Sequence, residues 1–596
     1  MDVLLRDAAV LGVERSLGGR RWETRLADQR LGLALAQRLG LPEIVGRVLA
    51  GRGVGLDDAD DFLNPSLRVA LPDPSHLRDM DRAVDRLAAA IAGREPIAVF
   101  GDYDVDGATS TALVTRFLRG IGVPVVVYIP DRMTEGYGPN AAAMTALAAR
   151  GVRVVVTVDC GTTAFAALEA ARAAHLDVVV VDHHIGEPEL PAALAVVNPN
   201  RFDETSPHGQ MAAVGVAFLL LVGLNRALRD GGVYDRLGVK PPDLMGLLDL
   251  VALGTVCDVV PLTGVNRAFV AQGIKVLARR RNTGLARLAD IARLDETPEA
   301  YHLGYVLGPR INAGGRVGQA DLGARLLGTD DPDEATGIAM ELDRLNTERR
   351  EIEAAVEAEA LEAAERQADA PFILVAGDGW HPGVIGIVAG RIKERFHRPV
   401  FVVAVDGTTG IGKGSGRSVP GVDLGSAVTA ARQAGLLVNG GGHAMAAGLT
   451  VEVAQLVDLH GFLAERIIAQ TGGEPPAPRL GLDGVLAVGG ATTDLVSVLE
   501  RIGPFGTGNA QPRFALSGVR ILKADVVGQG HIRVIMGAED GSRLKGMAFR
   551  AADNAIGSAL LQARGMPLHV AGGLRRDRWQ GRDDVQMFID DVAAAR

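Results

Sequence analysis

The chain has 596 residues, of which 47% are hydrophobic, and a formal net charge of −10. This apolar content excludes wholesale disorder, and at about 150 residues per domain the length predicts several folded domains. The negative charge argues against a basic protein that coats duplex DNA, although a local basic surface is still compatible with nucleic-acid binding.

The cysteines and the first residues predict where the protein works. Cys160 and Cys257 form no CxxC pair and no disulfide framework, which is typical of a reducing cytoplasm. The first seven residues include three charged ones, where a signal peptide requires an apolar stretch. The longest apolar run, Ala212–Leu224, is too short to cross a bilayer. We therefore expect a cytoplasmic protein with no membrane partner.

The first elements form an alternating pattern. Residues 1–45 are rich in arginine and leucine and carry no recognisable chemistry. From about Gly93 to Val260, runs of valine, isoleucine and leucine alternate with alanine-rich stretches such as Thr111–Leu118. This alternation predicts βαβ units around a parallel sheet.

Acidic residues follow the first strong strand of this region. The apolar run Ile97–Phe100 precedes Asp102, Asp104 and Asp106. We expect an extended segment here, with the carboxylates on one side, and a helix that begins after Gly107. Carboxylates at the end of a buried strand are costly unless a cation neutralises them. A solvated acidic turn is the alternative for this motif taken alone.

Three further apolar runs, each predicted as a strand, end in metal-ligand residues. The runs lead to Asp159, to Asp182–His184 and, from Leu250 onwards, to Asp258. An open parallel sheet collects such strand ends in one crevice. Carboxylates with one imidazole favour hard cations, so we predict two Mn²⁺ or Mg²⁺ ions about 3.5–4 Å apart. His183 and His184 could instead be an ordinary surface pair or hydrogen-bonded core residues, but their position just after a run of four valines and Asp182 favours the metal site.

The second half of the chain predicts a helix, a second α/β unit and a small barrel. Residues 333–370 are rich in alanine and glutamate, which indicates one long helix. A second α/β unit follows, with strands predicted at 372–375 and 400–405, and prolines at 475, 476 and 478 indicate a linker. Short β patterns at 519–527, 531–536, 568–574 and 585–589 then suit an OB-type barrel.

Several glycine-rich stretches carry phosphate-binding side chains. Arg310 and Arg316 flank Asn312 in a predicted loop, where guanidinium groups could hold a phosphate. The alternative is a pair of surface arginines in a turn. No GxxxxGK[ST] motif occurs, which argues against a nucleotide-hydrolysing motor.

Two more glycine-rich loops are predicted in the second α/β unit. They carry Lys413, Ser415 and Arg417 in one, and His443 in the other. Backbone amides beside cationic side chains can form an anion cradle, although either stretch could be a simple turn.

The barrel region carries a basic and aromatic cluster that includes Arg575 and Trp579. An OB surface binds single strands by stacking bases on aromatic rings and holding phosphates with arginine. A solvated hairpin tip with one anchoring tryptophan is equally compatible with this pattern.

The ordered aspartates and the Asp182–His184 triplet resemble the DHH phosphoesterase superfamily. Further motifs are similar to those of its bacterial exonucleases that are specific for single-stranded DNA. These motifs are DFLNPSL at 61–67, GDYDVDG at 101–107, EGYG at 135–138, GPRINAGGR at 308–316, LNTERR at 345–350, WHPGVIGIV at 380–388, GSGRS at 414–418, GGGHA at 440–444 and PFGTGN at 504–509.

The resemblance and the patterns above imply an α/β protein with two α/β lobes, a long connecting helix and a C-terminal OB-type barrel. The expected parts are an N-terminal extension (1–45), a parallel-sheet DHH phosphoesterase domain (46–330), the connecting helix (331–370), a DHH-associated α/β domain (371–473) and a nucleic-acid-binding OB domain (474–596).

The resemblance also assigns roles to residues. It implies metal ligands at Asp104, Asp106, Asp159, His183 and Asp258, with Asp102 as a further contributor. It places His184 next to the reacting phosphate, and we group Asp182, Arg310 and Arg316 with it as catalytic residues. Gly315 and Cys257 depart from the usual residues of the family, but neither change removes a ligand.

The function implied is hydrolysis of single-stranded DNA from the 5′ end to mononucleotides, in recombination and mismatch repair. Residue spacing alone gives no polarity. A monomer is expected, with a single-strand-binding protein and a helicase as candidate partners. One alternative is a superfamily phosphoesterase for short oligoribonucleotides, cyclic dinucleotides or pyrophosphate, which is typically shorter and lacks the barrel. Another is a non-catalytic strand-binding scaffold, which would have lost metal ligands.

Overall fold

The computed structural model describes residues 8–26, 28–132, 134–473, 478–563, 565–577 and 583–595. The chain folds into two compact units. The first unit comprises Met1–Gly315, Gln319–Glu341 and Arg479–Arg596, and the second comprises Arg316–Gly318 and Leu342–Pro478. None of the described helices is long and apolar enough to span a membrane.

The first unit begins with a short strand and four helices. These elements are β1 (Arg21–Thr24), α1 (Gln29–Leu39), α2 (Glu43–Gly51), α3 (Ala59–Leu63) and α4 (Leu67–Ala70). Asp28 begins α1 by accepting hydrogen bonds from the backbone N–H groups of Arg30 and Leu31.

A five-stranded parallel sheet forms the centre of the first unit, as the alternating pattern predicts. Its strand order is β3-β2-β4-β5-β6. The valine-rich sequences of β4 and β5 and the apolar sequence of β2 suit strands that are buried on both faces. The strands and helices of this region are α5 (Met80–Gly93), β2 (Ile97–Phe100), α6 (Val105–Gly120), β3 (Val125–Tyr128), α7 (Ala141–Ala149), β4 (Val154–Val158), α8 (Phe165–Ala173), β5 (Asp177–Val181) and β6 (Ala195–Val197).

Helices complete this part of the first unit. They are α9 (Ala213–Asp230), α10 (Val233–Leu237), α11 (Leu248–Cys257), α12 (Gly264–Leu277), α13 (Thr283–Ile291), α14 (Ala300–His302), α15 (Gly308–Val317) and α16 (Leu322–Gly328), with a π-helical segment at Leu303–Leu307 before α15.

Two sequence predictions in this region are wrong. The apolar run from Leu250 to Asp258 is not a strand but helix α11, which is buried on nearly every side and so lacks the polar face that would indicate a helix. The stretch Gly308–Arg316 is not a loop but helix α15. Its glycines serve close packing: a Cβ at Gly308 would overlap Cys257 Sγ, and one at Gly315 would lie 2.8 Å from the Tyr103 carbonyl oxygen.

The predicted long helix is confirmed as α17 (Pro332–Glu365), of 34 residues. Pro332 occupies the first helical position, where the missing N–H has no intrahelical partner to lose. The helix ends before Ala370, and its residues are shared between the two units.

The second unit contains a five-stranded sheet of order β10-β11-β9-β8-β7, in which only β7 and β8 pair in parallel. The two predicted glycine-rich loops are strands β9 and β10. In β9 the glycines leave room for the side chains of Phe401, Val403 and Leu449, which pack against the strand. The elements are β7 (Ile373–Asp378), α18 (Ile385–Phe396), β8 (Val400–Asp406), β9 (Ile411–Arg417), α19 (Leu424–Gln433), β10 (Asn439–His443), β11 (Ala446–Glu452) and α20 (Leu456–Thr471).

The C-terminal region returns to the first unit and forms the predicted barrel. Strand pairing in the order β14-β15-β16-β18-β17 closes through a β14–β17 contact, and β13 adds to β14. The elements are β12 (Arg479–Leu482), β13 (Gly484–Leu486), α21 (Thr493–Glu500), β14 (Phe514–Val527), β15 (His531–Gly537), β16 (Arg543–Ala548), α22 (Ala555–Gln562), β17 (Pro567–Asp577) and β18 (Asp584–Ala594).

The N-terminal helices and the barrel share one apolar core. Leu35, Val45 and Leu49 from α1 and α2 belong to the same buried cluster as Phe514 and Ile532 from the barrel. In addition, β1 pairs in parallel with β12. The N-terminal residues, whose sequence carries no recognisable chemistry, therefore build the barrel's surroundings.

Candidate metal centre

The carboxyl edge of the parallel sheet carries three buried carboxylates. Asp159 follows β4 directly, Asp182 follows β5 directly and Asp102 lies two residues after β2. Their exposed fractions are 3%, 1% and 3% respectively. The sequence predicts this meeting of strand ends, and these three residues do lie together at one edge.

Asp104 and Asp106 are placed by helix α6. Asp104 is the N-cap residue and accepts a hydrogen bond from the backbone N–H of Gly107 at 3.0 Å. Because the helix begins at Val105, the expectation of an extended segment through Asp106 is wrong. The Asp106 carboxylate instead accepts the N–H groups of Ala213 and Val214, at 2.7 and 3.0 Å, at the start of α9. Helix N-termini stabilise negative charge at such positions.

Asp258 reaches the site from a helix. It is the C-cap residue of α11. Glycine at position 254 lets α11 approach α6 closely, since a Cβ there would lie 2.9 Å from Asp106 Oδ1. Asp258 thus joins the strand-end carboxylates even though its own segment is not a strand.

His183 faces several of these carboxylates. Its Nε2 atom lies 3.4 Å from Asp159 Oδ1, 3.6 Å from Asp258 Oδ2 and 3.9 Å from Asp106 Oδ2. Burial lowers the pKa of His183 to about 4, with the nearby charge of His184 acting in the same direction. The ring is therefore neutral at physiological pH, the form that binds a metal ion.

Three overlapping donor groups define what we call the metal centre. Their members could each offer one ligand atom, with all atoms of a group within 4.8 Å of one another: Asp102, Asp104 and Asp159; Asp106, His183 and Asp258; and Asp159, His183 and His184. Asp102 Oδ1, Asp159 Oδ1 and Asp258 Oδ2 are buried and find no hydrogen-bond donor among the described residues. Unpaired buried carboxylate oxygens beside a neutral imidazole fit a hard divalent cation.

Proton affinities in the metal centre record the same crowding. Burial, followed by the charge of Asp104, raises the pKa of Asp106 to about 7 and that of Asp102 to about 8. Burial, followed by the charge of Asp106, raises the pKa of Asp258 to about 9 and raises that of Asp159 well above its usual range. Without a cation, these carboxylates cannot all be ionised at neutral pH.

Asp182 and His184 form a charged pair beside the metal centre. Burial opposes ionisation of Asp182, but the His184 ring, 2.7 Å away at Nδ1, holds the pKa of Asp182 below its usual range. Burial also opposes protonation of His184, yet the hydrogen bond to Asp182 raises the pKa of His184 to about 9. Asp182 additionally accepts the N–H groups of Thr162 and His183. Asp182 therefore orients His184, a member of one donor group, and favours its charged form, although Asp182 belongs to none of the three donor groups itself.

Tyr137 is a site residue that the sequence analysis did not select, although it lies in the quoted EGYG motif. Its hydroxyl donates to the Asp159 carbonyl oxygen at 2.8 Å and lies 3.3 Å from His184 Nδ1. A polar ring at this position borders the space above His184.

Backbone strain accompanies two of the ligands. Asp159 has φ of 60°, and Val259, next to Asp258, has φ of 62°. A β-branched residue in the left-handed region is a genuine outlier, and such strain persists only where the surroundings enforce it.

Comparison with known proteins agrees with this centre. The DHH family N-terminal domain matches residues 96–255, the DHHA1 domain matches residues 369–469 and the RecJ OB domain matches residues 482–591. The single-stranded-DNA-specific exonuclease RecJ of Escherichia coli is 37% identical over 566 residues, which cover 93% of this chain and 96% of that protein.

The chain belongs to the RecJ family of single-stranded-DNA-specific exonucleases.

Solved structures of RecJ from Thermus thermophilus support the same assignment. A complex with Mn²⁺ is 30% identical, has a TM-score of 0.79 and covers 95% of this chain and 78% of that one. A complex with Mg²⁺ is 29% identical, with a TM-score of 0.72 and coverage of 96% and 77%. Relatives of this RecJ-family chain thus bind the two cations that its donor groups favour.

Arg310 and Asn312 lie on helix α15 of this RecJ-family chain, which contacts both ligand-bearing segments. Gly308 touches Cys257 beside Asp258, and Gly315 touches Tyr103 between Asp102 and Asp104. Arg310 donates to the Val306 carbonyl oxygen at 2.7 Å. The structure therefore places Arg310 on an element packed against the metal centre. Arg316 belongs to the second unit, where it donates to the Gly383 carbonyl oxygen at 2.7 Å.

The predicted anion cradle lies within the second unit. Lys413, Ser415 and Arg417 alternate along β9 and so share one face. A Cβ at Gly386, in the first turn of α18, would lie 3.0 Å from Ser415 Oγ and 3.1 Å from Arg417 Nη2. The start of a helix next to serine and arginine suits an anion. His443 lies at the end of β10, with β11 between it and β9.

The predicted DNA-binding cluster of the barrel is described only in part. Arg575 lies on β17, donates to Gln511 Oε1 at 2.9 Å and stands 5.4 Å from the centre of the Phe588 ring. Trp579 lies outside the described residues.

Proposed function

We propose that this chain uses two Mn²⁺ or Mg²⁺ ions to hydrolyse single-stranded DNA from its 5′ end, releasing mononucleotides. The observation that carries the proposal is the set of overlapping donor groups with unpaired buried carboxylate oxygens, in a member of the RecJ family. The proposal includes a cytoplasmic monomer that acts in recombination and repair, with a single-strand-binding protein and a helicase as partners.

The donor groups suggest how the ions would be held. Asp102, Asp104 and Asp159 would hold one, and Asp106, His183 and Asp258 the other, with Asp159 close enough to His183 to serve both. When bound, such ions activate water and neutralise charge on a phosphate.

Other residues would act on the substrate directly. The hydrogen bond to Asp182 orients His184 and raises its pKa, so the protonated ring can donate a hydrogen bond to a non-bridging phosphate oxygen. Arg310 would supply a second positive charge from α15. Tyr137, through its hydroxyl, keeps the Asp159 backbone and the His184 ring in register.

The remaining substrate contacts would extend along the DNA. We assign phosphate binding to Lys413, Ser415, Arg417 and His443, strand contact to Asn312, and stacking and phosphate binding on the barrel to Arg575 and Trp579. Arg316 is proposed as a catalytic residue together with Arg310. The five sequence ranges given above, namely 1–45, 46–330, 331–370, 371–473 and 474–596, are proposed as the functional domains.

Digestion of one oligonucleotide labelled at either end tests the proposal. With Mn²⁺, a 5′-labelled strand should release labelled mononucleotide at once, whereas a 3′-labelled strand should shorten progressively; EDTA should stop both. Equal-length duplex DNA, an oligoribonucleotide, a cyclic dinucleotide and pyrophosphate serve as competing substrates. Preferential turnover of any of the last three would favour a small-substrate phosphoesterase, and binding without turnover would favour a scaffold.

A further inference from the structure

A turn of the barrel domain rests against the segment that carries Asp258. The backbone N–H of Leu262 donates to the Thr507 carbonyl oxygen at 2.7 Å. A Cβ at Gly506 would lie 2.7 Å from Leu262 Cδ1, and one at Gly508 would lie 3.1 Å from Pro261 Cβ. The glycines of the PFGTGN motif therefore permit this close contact, whereas a Cβ at either position would crowd Leu262 or Pro261.

The turn is itself held in one shape. Asn509 is fully buried, and its Nδ2 donates to the carbonyl oxygens of Ile502 and Pro504 at 2.9 and 2.8 Å. We call residues Ile502–Asn509 the brace turn.

Arg267, in the first turn of α12, joins the brace turn to the DHH region. Its side chain is almost fully buried, and its Nη2 donates to the carbonyl oxygens of Ile502 and Gly503 at 2.8 and 2.7 Å. Its Nε donates to the Phe62 carbonyl oxygen, and the guanidinium lies 3.8 Å from the centre of the Phe62 ring. A buried guanidinium is costly to leave without hydrogen-bond acceptors. These bonds therefore hold α12, the brace turn and the backbone at Phe62 in fixed positions relative to one another.

The adjacent Asn266 connects this network to two metal-centre ligands. Its Nδ2, on a fully buried side chain, donates to the carbonyl oxygens of Gln210 and Pro261 at 2.7 and 3.0 Å. Pro261 lies three residues after Asp258, and Gln210 lies three residues before Ala213, whose N–H binds Asp106. One amide group thus ties together the backbones that orient Asp106 and Asp258.

Strain at Val259 indicates that this segment is held under constraint. Its left-handed backbone needs support from neighbouring contacts, and the bonds to Pro261 and Leu262 supply such contacts within three residues.

We propose that the brace turn, Arg267 and Asn266 are positioning elements for the donor group Asp106, His183 and Asp258. By this proposal the C-terminal barrel sets the geometry of one cation site, in addition to any contact that it makes with DNA. The inference rests on the proposed function only in requiring that this group binds a cation; it does not depend on substrate or polarity.

Mn²⁺ binding by the full-length protein, followed by electron paramagnetic resonance and calorimetry, tests this. We expect Gly506→Ala, Asn266→Ala and Asn509→Ala to weaken one of two Mn²⁺ sites by about tenfold or more, because residues that orient ligands typically affect affinity to that degree. The other site should keep its affinity. Turnover at saturating DNA should fall in low Mn²⁺ and recover in high Mn²⁺, with KM for DNA little changed.

Asn554→Ala is the matched control, because Asn554 caps α22 in the same barrel by accepting the Gly557 N–H, away from the brace turn. It should lower thermal stability and leave both Mn²⁺ affinities unchanged. Gly506→Ala, a change of one methyl group, keeps the test informative if the asparagine variants do not fold. Brace variants that bind Mn²⁺ like the wild type would overturn the inference, whereas a wild-type protein that binds no Mn²⁺ would overturn the metal assignment as well.

Discussion

At the scale of single residues, Asp159 is the carboxylate shared by two donor groups of the metal centre. Burial raises the pKa of Asp159, and the charges of the neighbouring carboxylates raise it further. Its charge should therefore be essential for catalysis and unfavourable for the metal-free fold. Removal of the charge should therefore lower activity but raise the stability of the metal-free protein, a result that a purely structural role would not give.

We predict that Asp159→Asn lowers single-turnover cleavage in Mn²⁺ by about 10³-fold or more, equivalent to about 4 kcal/mol, while it raises the unfolding temperature in EDTA. DNA binding, measured by fluorescence anisotropy in Ca²⁺, should persist. Asp177→Asn, at the opposite end of β5, is the control and should cleave normally. A cleavage rate within tenfold of the wild type would contradict the assignment.

The pH dependence of metal binding follows from the raised carboxyl pKa values of about 7, 8 and 9 at Asp106, Asp102 and Asp258. A carboxyl group with a folded pKa above its unfolded value stabilises the fold at low pH and loses that contribution as pH rises through the folded pKa. The metal-free protein should therefore lose stability as pH rises from about 4, where unfolded carboxyl groups titrate, to about 9. Mn²⁺ affinity should rise as the same carboxyl groups ionise in the folded protein, up to about pH 9.

Scanning fluorimetry at about pH 4 to 9 with EDTA or Mn²⁺ measures the loss of stability. Calorimetry in buffers of different ionisation enthalpy measures the protons released on binding. A metal-free unfolding temperature that stays constant across this range would show that the carboxyl groups do not repel one another as the structure indicates.

The sequence predicts most of these residues but not all. Asp159 and Asp182 follow runs of β-branched valine, which favour a buried parallel strand over a helix, so their meeting at one sheet edge could be predicted. Asp258 is predicted correctly for the wrong reason, since a helix buried on all sides has no periodicity that separates it from a strand. Tyr137 gives no local signal beyond its motif, because its contacts with Asp159 and His184 depend on the folded sheet.

At the scale of elements, helix α15 carries Arg310 and packs against the segments that hold Asp102, Asp104 and Asp258. Gly315 packs against Tyr103 and Gly308 packs against Cys257. Because glycine has no side chain, α15 can lie close to the segments that carry the metal ligands. The sequence suggests a flexible loop here because glycine and proline usually indicate one. Close packing between elements, which local patterns do not report, explains the difference.

For Arg310→Ala we expect a lower saturated cleavage rate with little change in DNA affinity, because a positive charge near the reacting phosphate stabilises charge that grows in the transition state. Binding titrations at several salt concentrations should keep their slope. Arg325→Ala, an exposed arginine on α16, is the control. Normal saturated turnover combined with a salt slope smaller by about one would instead place Arg310 among general phosphate contacts.

Gly315→Ala should reduce activity by about tenfold or more, since its Cβ would lie 2.8 Å from the Tyr103 carbonyl oxygen and would displace the segment that carries Asp102 and Asp104. Gly337→Ala in α17 meets nothing within 4 Å and should leave activity unchanged while slightly stabilising the protein. Comparing the two rates and unfolding temperatures checks the prediction; equal behaviour would show that α15 can move without consequence.

At the scale of the whole molecule, the barrel and the N-terminal helices are one body around a single core. The prolines near residue 475 indicate a linker, which suggests a removable domain. Local patterns cannot show that α1 and α2 pack on strands more than 400 residues later in the chain. The periodicity of a helix shows which of its faces is apolar but does not show which element covers that face. The fold class was predictable from the sequence, whereas this long-range pairing was not.

Deletion from Arg479 onwards should therefore give an aggregating or partly unfolded protein, because it uncovers Leu35, Val45 and Leu49. Circular dichroism, size-exclusion chromatography and thermal unfolding measure the outcome. A truncated protein that remains monomeric and unfolds cooperatively at the wild-type temperature would contradict the shared core.

The contacts of β1 with β12 and β18 also bear on synthesis of the protein. Trp22 donates its indole N–H to Asp591 at 2.9 Å, so its partner is translated long after Trp22 itself. During synthesis the apolar faces of α1 and α2 stay uncovered until the barrel strands have left the ribosome. Nuclease activity would then arise only after the barrel strands that complete the shared core have been made.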